Sequence, residues 1–139
     1  MIADPVARAE HLGRARATLF YLLACAFVTS TVMGVHGPET PVRLGTWLVL
    51  ASLVAINLTP VAGRFQPAAV TRLLNDETTR FHRRTSLAAG CWVSTLAGLV
   101  IAAGGLALDA SEAARLIVMA GLSASLICFA TLELRAANG

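Results

Sequence analysis

The sequence predicts an all-α protein, a polytopic membrane bundle of four antiparallel transmembrane helices with both termini on the cytoplasmic side. Three observations carry this. Of 139 residues, 56% are hydrophobic and only 14% charged, with a mean hydropathy of +0.69. A soluble domain is nearer a quarter charged, so this chain lacks the polar surface to face water. Four apolar runs, at about 17–35, 44–62, 87–108 and 116–134, are each long enough to cross a hydrocarbon core of about 30 Å. Lastly, the eleven basic residues, all Arg, gather at the boundaries of these runs. The length suits one membrane domain, 1–139, and no more.

The elements follow in order. Asp4-Pro5 is a helix start, because Asp can cap and Pro is tolerated at the first helical position. Glu10 and Arg14 stand four apart, a mildly stabilising helical pair. The run 17–35 is too long for a signal peptide and lacks a small-residue cleavage site, which predicts a retained span. HGPETPVR, from His36 to Arg43, is a tight turn punctuated by Gly37, Pro38 and Pro41. The second span carries Asn57 inside it and Pro60 near its end, where a kink is expected. A longer cytoplasmic loop, 63–86, follows; Pro67 can start a short interfacial helix there. After the third span, Asp109 can cap the fourth helix with Glu112 three residues on.

Charge sets the expected orientation. Arg8, Arg14, Arg16, Arg64, Arg72, Arg80, Arg83, Arg84 and Arg135 fall on one side of the runs, against Arg43 and Arg115 on the other. The positive-inside rule then places both termini and the 63–86 loop in the cytoplasm. Trp47 suits an interfacial anchor near the far side. The net charge of +3 does not make a nucleic-acid binder, since the Arg residues sit at boundaries with no aromatic-basic platform among them.

Chemistry is sparse. Cys25, Cys91 and Cys128 form no CxxC, and all lie in apolar runs, where Cys is usually a small apolar filler. His11 and His82 are expected on one side and His36 on the other, so no pair can clasp a haem; His82 reads as a surface histidine. No ionisable residue lies near a span's midpoint, which argues against proton-coupled and charge-moving transport. The mid-membrane Glu on which small multidrug exporters depend is missing. No nucleophile–base pair, metal cluster or phosphate loop is visible, so the reading is of a non-enzyme without cofactor or metal. Asn57, alone strongly polar well within a span, reads as a hydrogen bond to a neighbouring helix.

The densest charged stretch enters the third span. Asp76, Glu77, Arg80, Arg83 and Arg84 precede a run in which Gly90, Ser94 and Gly98 recur four apart. At about 100° per residue, Asp76, Arg80 and Arg83 project on the side of those small residues, flanked by Glu77 and Arg84. Small residues at that spacing let helices approach closely in lipid. The charged group is therefore expected above a packing face, aimed at other helices or at a partner.

From Asn75-Asp76-Glu77-x-x-Arg80 through Arg83-Arg84-x-x-x-Ala88, the chain resembles some uncharacterised bacterial four-helix membrane proteins, including the DUF2178-like family. The likeness spans Leu74–Trp92. Some such small proteins are encoded beside soluble DNA-binding regulators and are thought to hold them inactive at the membrane. The resemblance implies partner-binding roles for Asp76, Glu77, Arg80 and Arg83. The expected function is thus a small non-enzymatic inner-membrane protein that binds a cytoplasmic or membrane protein through its cytoplasmic face. Sequestering a soluble transcriptional regulator is the sharpest form of it. Two alternatives stand: an accessory subunit whose Gly90/Ser94/Gly98 and Gly121/Ser125 faces pack on foreign helices, or a channel or transporter for a neutral solute, such as a homo-oligomer, using Asn57, Ser30 and Thr31.

Overall fold

The last helix organises the molecule. The structure, a computed structural model, describes residues 5–35, 40–59, 77–105 and 108–138, without the side chains of 5–12, 35, 77, 78, 137 and 138. The described residues form four helices: α1 (Pro5–Val35), α2 (Pro41–Leu58), α3 (Glu77–Ala103) and α4 (Ala110–Asn138). All four are long and apolar enough to cross a membrane. At 1.5 Å per residue, even α2, the shortest, reaches about 27 Å.

The helix ends follow from local chemistry. Thr40 caps α2: its Oγ1 accepts from the Arg43 N–H, and Pro41 takes the first-turn position where its missing N–H costs nothing. At the other end α2 stops at Leu58. Thr59 is extended (φ −96°, ψ 159°), as a residue before proline prefers. The second span therefore ends before Pro60, and the kink expected within it is replaced by termination. α3 stops at Ala103, short of the expected 108, where Gly104 N–H closes on Val100 O and Gly105 takes a left-handed φ of 57°. At the start of α4, Asp109 N–H donates to Glu112 Oε2 over 3.1 Å, the return half of the capping box. The short helix expected after Pro67, the cap residues Asn75 and Asp76, and His36 lie outside the described residues.

Packing shows why α4 is central: it lies against both α1 and α3, while α2 rests more lightly on α1 and α4. Ala17, Phe20, Ala24, Phe27 and Thr31 form one buried stripe of α1, at the helical spacing. Phe20 meets Phe129 of α4 edge-on at 5.2 Å, and Leu126, Ala130, Val54 and Leu58 complete that core. On its other side α4 meets α3 through small residues. A Cβ added to Gly90 would sit 2.6 Å from Gly121 O and closer still to Ser125 Oγ. One added to Gly121 would sit 3.0 Å from Gly90 O and would strike Ser94 Oγ. The two backbones cross at that point, and Ser94 Oγ donates across it to Ile117 O. These small-residue faces thus pack on each other within the chain.

Successive helices run antiparallel. Trp47 stacks on Phe27 at 5.9 Å, its Nε1 donates to Thr31 Oγ1 over 2.9 Å, and Tyr21 pairs with Thr131. One end of the bundle, the terminal end, holds the starts of α1 and α3 and the ends of α2 and α4. The opposite, turn end holds the ends of α1 and α3 and the starts of α2 and α4. Trp47 is half-buried against α1 rather than projecting as an interfacial anchor; Trp92 is the exposed tryptophan, at 70%. α2 and α3 hardly touch, and a groove of about 530 Å³ runs between them over α4.

Candidate functional site

The terminal end collects charge from three helices onto one carboxylate. Glu133, four residues after Phe129 on α4, points toward the starts of α1 and α3. His82 Nδ1 of α3 stands 3.6 Å from Glu133 Oε1, both side chains largely buried. That distance is long for a hydrogen bond, so the contact is an ion pair when the imidazole carries its proton. Arg16 of α1 and Arg83 of α3 are both within the electrostatic reach of Glu133, and Arg16 also feels Arg83. Two guanidiniums and an imidazole share one negative charge.

Aromatic rings fix this arrangement. The Arg16 guanidinium carbon lies 4.9 Å from the Phe129 ring centroid and 5.5 Å from that of Phe20, within cation–π range of both. The His82 ring meets Phe129 edge-on at 6.5 Å. The apolar rings lower the local dielectric, strengthening attraction to Glu133 and repulsion between the cations alike. His82 Nδ1 and Arg83 Nε are buried with no hydrogen-bond partner among the described residues. Such orphaned donors, at the rim of a positive cluster, fit a site that accepts further negative charge.

Of the charged residues picked out in the sequence, Arg80, Arg83 and Arg84 do not share one face. Asp76 is outside the described residues, and Glu77 opens α3 with its side chain likewise undescribed. Arg83 turns inward toward Glu133, on the line of Ser86 and Gly90, both buried. Arg80 and Arg84 instead are exposed. The buried face of α3 is centred on His82, Ser86 and Gly90, spaced four apart; Arg80 falls about 80° and Arg84 about 120° from Gly90 at 100° per residue. The expectation that Arg80 shares the packing side with Arg83 is corrected: among the described side chains of the group Arg83 lies there, and Arg80, like the flanking Arg84, is on the surface. Phe81 is exposed beside them, at 64%.

His82, expected on the surface, is buried at 8% exposure, because it falls on the same stripe as Ser86. Together with Arg16 and Glu133 it was not singled out from sequence as a site. The signal was present in the i, i+4, i+8 line from His82 to Gly90. What could not be read was which Arg would face Glu133.

Other sequence candidates disperse. Asn57 donates from Nδ2 to Leu53 O of its own helix at 2.8 Å, rather than across to a neighbour. Ser30 and Thr31 both donate to Phe27 O. They sit near the turn end, far along the bundle from Asn57, so these three do not line one path. Cys25 and Cys91 are exposed on different helices rather than filling the core, and Cys128 is half-buried. Among the described residues no three His, Cys, Asp or Glu side chains group as metal ligands. Compared with protein-family models, curated proteins and solved structures, the chain matches none.

Proposed function

We propose that this chain is an integral membrane protein of four spans, both termini cytoplasmic, in a bacterial inner membrane. Its work is to hold a protein partner at its terminal end. Support for insertion comes from the four apolar helices and from the large hydrophobic side chains left exposed along them, Leu22, Met33, Trp92, Leu99 and Val100 among them. Soluble proteins seldom expose so much contiguous apolar surface. Support for the orientation is the Arg count along the sequence, nine on one side of the apolar runs against two on the other.

The observation that carries the binding role is the imbalance around Glu133. Arg16, Arg83 and His82 converge there, and Arg80, Arg84 and Phe81 are presented beside them to the outside. An acidic partner surface with an apolar contact for Phe81 complements this arrangement in both charge and shape. The resemblance over Leu74–Trp92 favours a soluble transcriptional regulator as that partner, held away from its target by the membrane.

The test uses Arg80 and Arg84, since neither supports the core. The double variant R80E/R84E should be recovered in the membrane with unchanged thermal stability, while its co-purified partner drops about tenfold, or about 1.4 kcal/mol. Equal partner recovery from wild type and variant would refute the reading.

A further inference from the structure

α2 and α3 stand apart across the groove of about 530 Å³, a volume ordinary for a small-ligand pocket. Its lining comes from within 47–55 of α2, 87–94 of α3 and 118–125 of α4. At 1.5 Å per residue each stretch is about 10–12 Å long. A spanning helix brings about 30 Å of apolar length, so the groove would hold less than half of one. A hydrocarbon chain entering from one leaflet matches it better, since half the hydrocarbon core is about 15 Å.

The walls suit such a chain. Ser94 Oγ donates to Ile117 O and Ser125 Oγ to Gly121 O, so both hydroxyl protons are spent on backbone and the surface left to a ligand is mainly apolar. Trp47, stacked on Phe27, stands nearest the turn end of the groove.

The opposite rim carries charge. The groove residues Leu87 and Cys91 lie about 60° and about 100° from Gly90 around α3. Arg80 and Arg84, about 80° and about 120° on the same measure, continue that side of the helix toward the terminal end. Arg84 stands about one turn beyond Leu87 and Arg80 about two. Both are exposed, whereas Arg83 turns inward to Glu133. An apolar slot beneath a pair of guanidiniums is complementary to an anionic amphiphile.

We propose that this groove seats one acyl chain of an anionic phospholipid whose phosphate is held by Arg84 and Arg80. Planar guanidiniums grip phosphate two bonds at a time, which a single ammonium cannot do. The inference rests on the membrane insertion proposed above and not on the protein partner. A headgroup and an acidic partner draw on the same two side chains, so filling the groove, which leaves both Arg residues in place, separates the two.

The experiment takes the full chain extracted from membranes into detergent. Native mass spectrometry compares its adducts of phosphatidylglycerol with those of phosphatidylcholine. Wild type should bind phosphatidylglycerol selectively and saturably. R80Q/R84Q should weaken that binding at least tenfold, while Arg135→Gln, at the same end of the bundle but about 15 Å along α4 from Ser125, keeps it. Cys91→Phe, at an exposed residue of the groove wall, fills the slot without removing charge. It too should weaken binding at least tenfold, with recovery of the protein partner unchanged. Ser52→Phe, exposed on the facing wall, decides the matter if Cys91→Phe does not fold. Equal adducts of the two lipids, or selective adducts that survive groove filling, overturn the proposal and leave insertion standing. A chain recovered from the soluble fraction overturns both.

Discussion

Glu133 supplies the negative charge that lets Arg16, Arg83 and His82 meet at one point between three helices. Replacing it by Gln keeps the shape and leaves the guanidiniums to repel one another beside the rings of Phe20 and Phe129. Glu133→Gln should cost about 1–3 kcal/mol, the usual range for stranding buried charged or polar groups. Arg135→Gln, two residues away but exposed, should stay within about 0.5 kcal/mol. Unfolding of both variants in detergent, read side by side, checks this. At this scale the sequence was only half legible. An acid at the end of the last span was visible, and so was an excess of Arg that could pair with it. Which of them does depends on the rotation of each helix about its axis. A difference of 80° separates Arg80, outside, from the buried Gly90 line that Arg83 joins.

Among the elements, α3 and α4 are held by a crossing rather than by interlocking bulk. Gly90 and Gly121 let the two backbones approach, and a methyl group at either meets the opposing chain and a serine. Gly90→Ala should therefore destabilise by about 1–3 kcal/mol, as overpacking does. Gly45→Ala is the contrast, because a Cβ there meets nothing within 4 Å. Its better helix propensity should leave stability equal or raise it by up to about 1 kcal/mol. Opposite signs for the two glycines are expected in the same unfolding assay; a neutral Gly90→Ala would contradict the crossing. The small residues four apart were plain in the sequence, since their spacing is local. Their partner was not, because a stripe of Gly and Ser packs equally well on a neighbour in its own chain or in another. The start of α4 was legible at Asp109, whereas Pro60 was read as a kink and α2 ends before it. The end of α3 at Gly104-Gly105 was hidden, since hydropathy continues smoothly to Leu108.

For the whole molecule, charge and packing point the same way. The alternating directions of the helices bring the start of α1, the end of α4 and the mouth of α3 to one end, where the Arg residues concentrate. A reporter inserted at Glu39 should accordingly read outside the cytoplasm and one fused after Gly139 inside it; the reverse pattern would overturn the orientation. The four-helix architecture was legible because hydropathy and run length determine it almost alone. The asymmetry of the bundle was not. That α4 packs on two sides while α2 stands apart from α3 across an open groove follows from which faces carry Gly and Ser and which carry Phe.

The central claim is that the end built on Glu133, with Arg80, Phe81 and Arg84 facing outward, holds a protein. A photo-crosslinking side chain placed at Phe81 in living cells tests it most directly, with the same group at Leu99, exposed far along the same helix, as control. The account predicts a discrete protein adduct from position 81, none from 99, and loss of the adduct in the R80E/R84E background. Lipid adducts alone at position 81, or a protein adduct that survives both charge reversals, would contradict it.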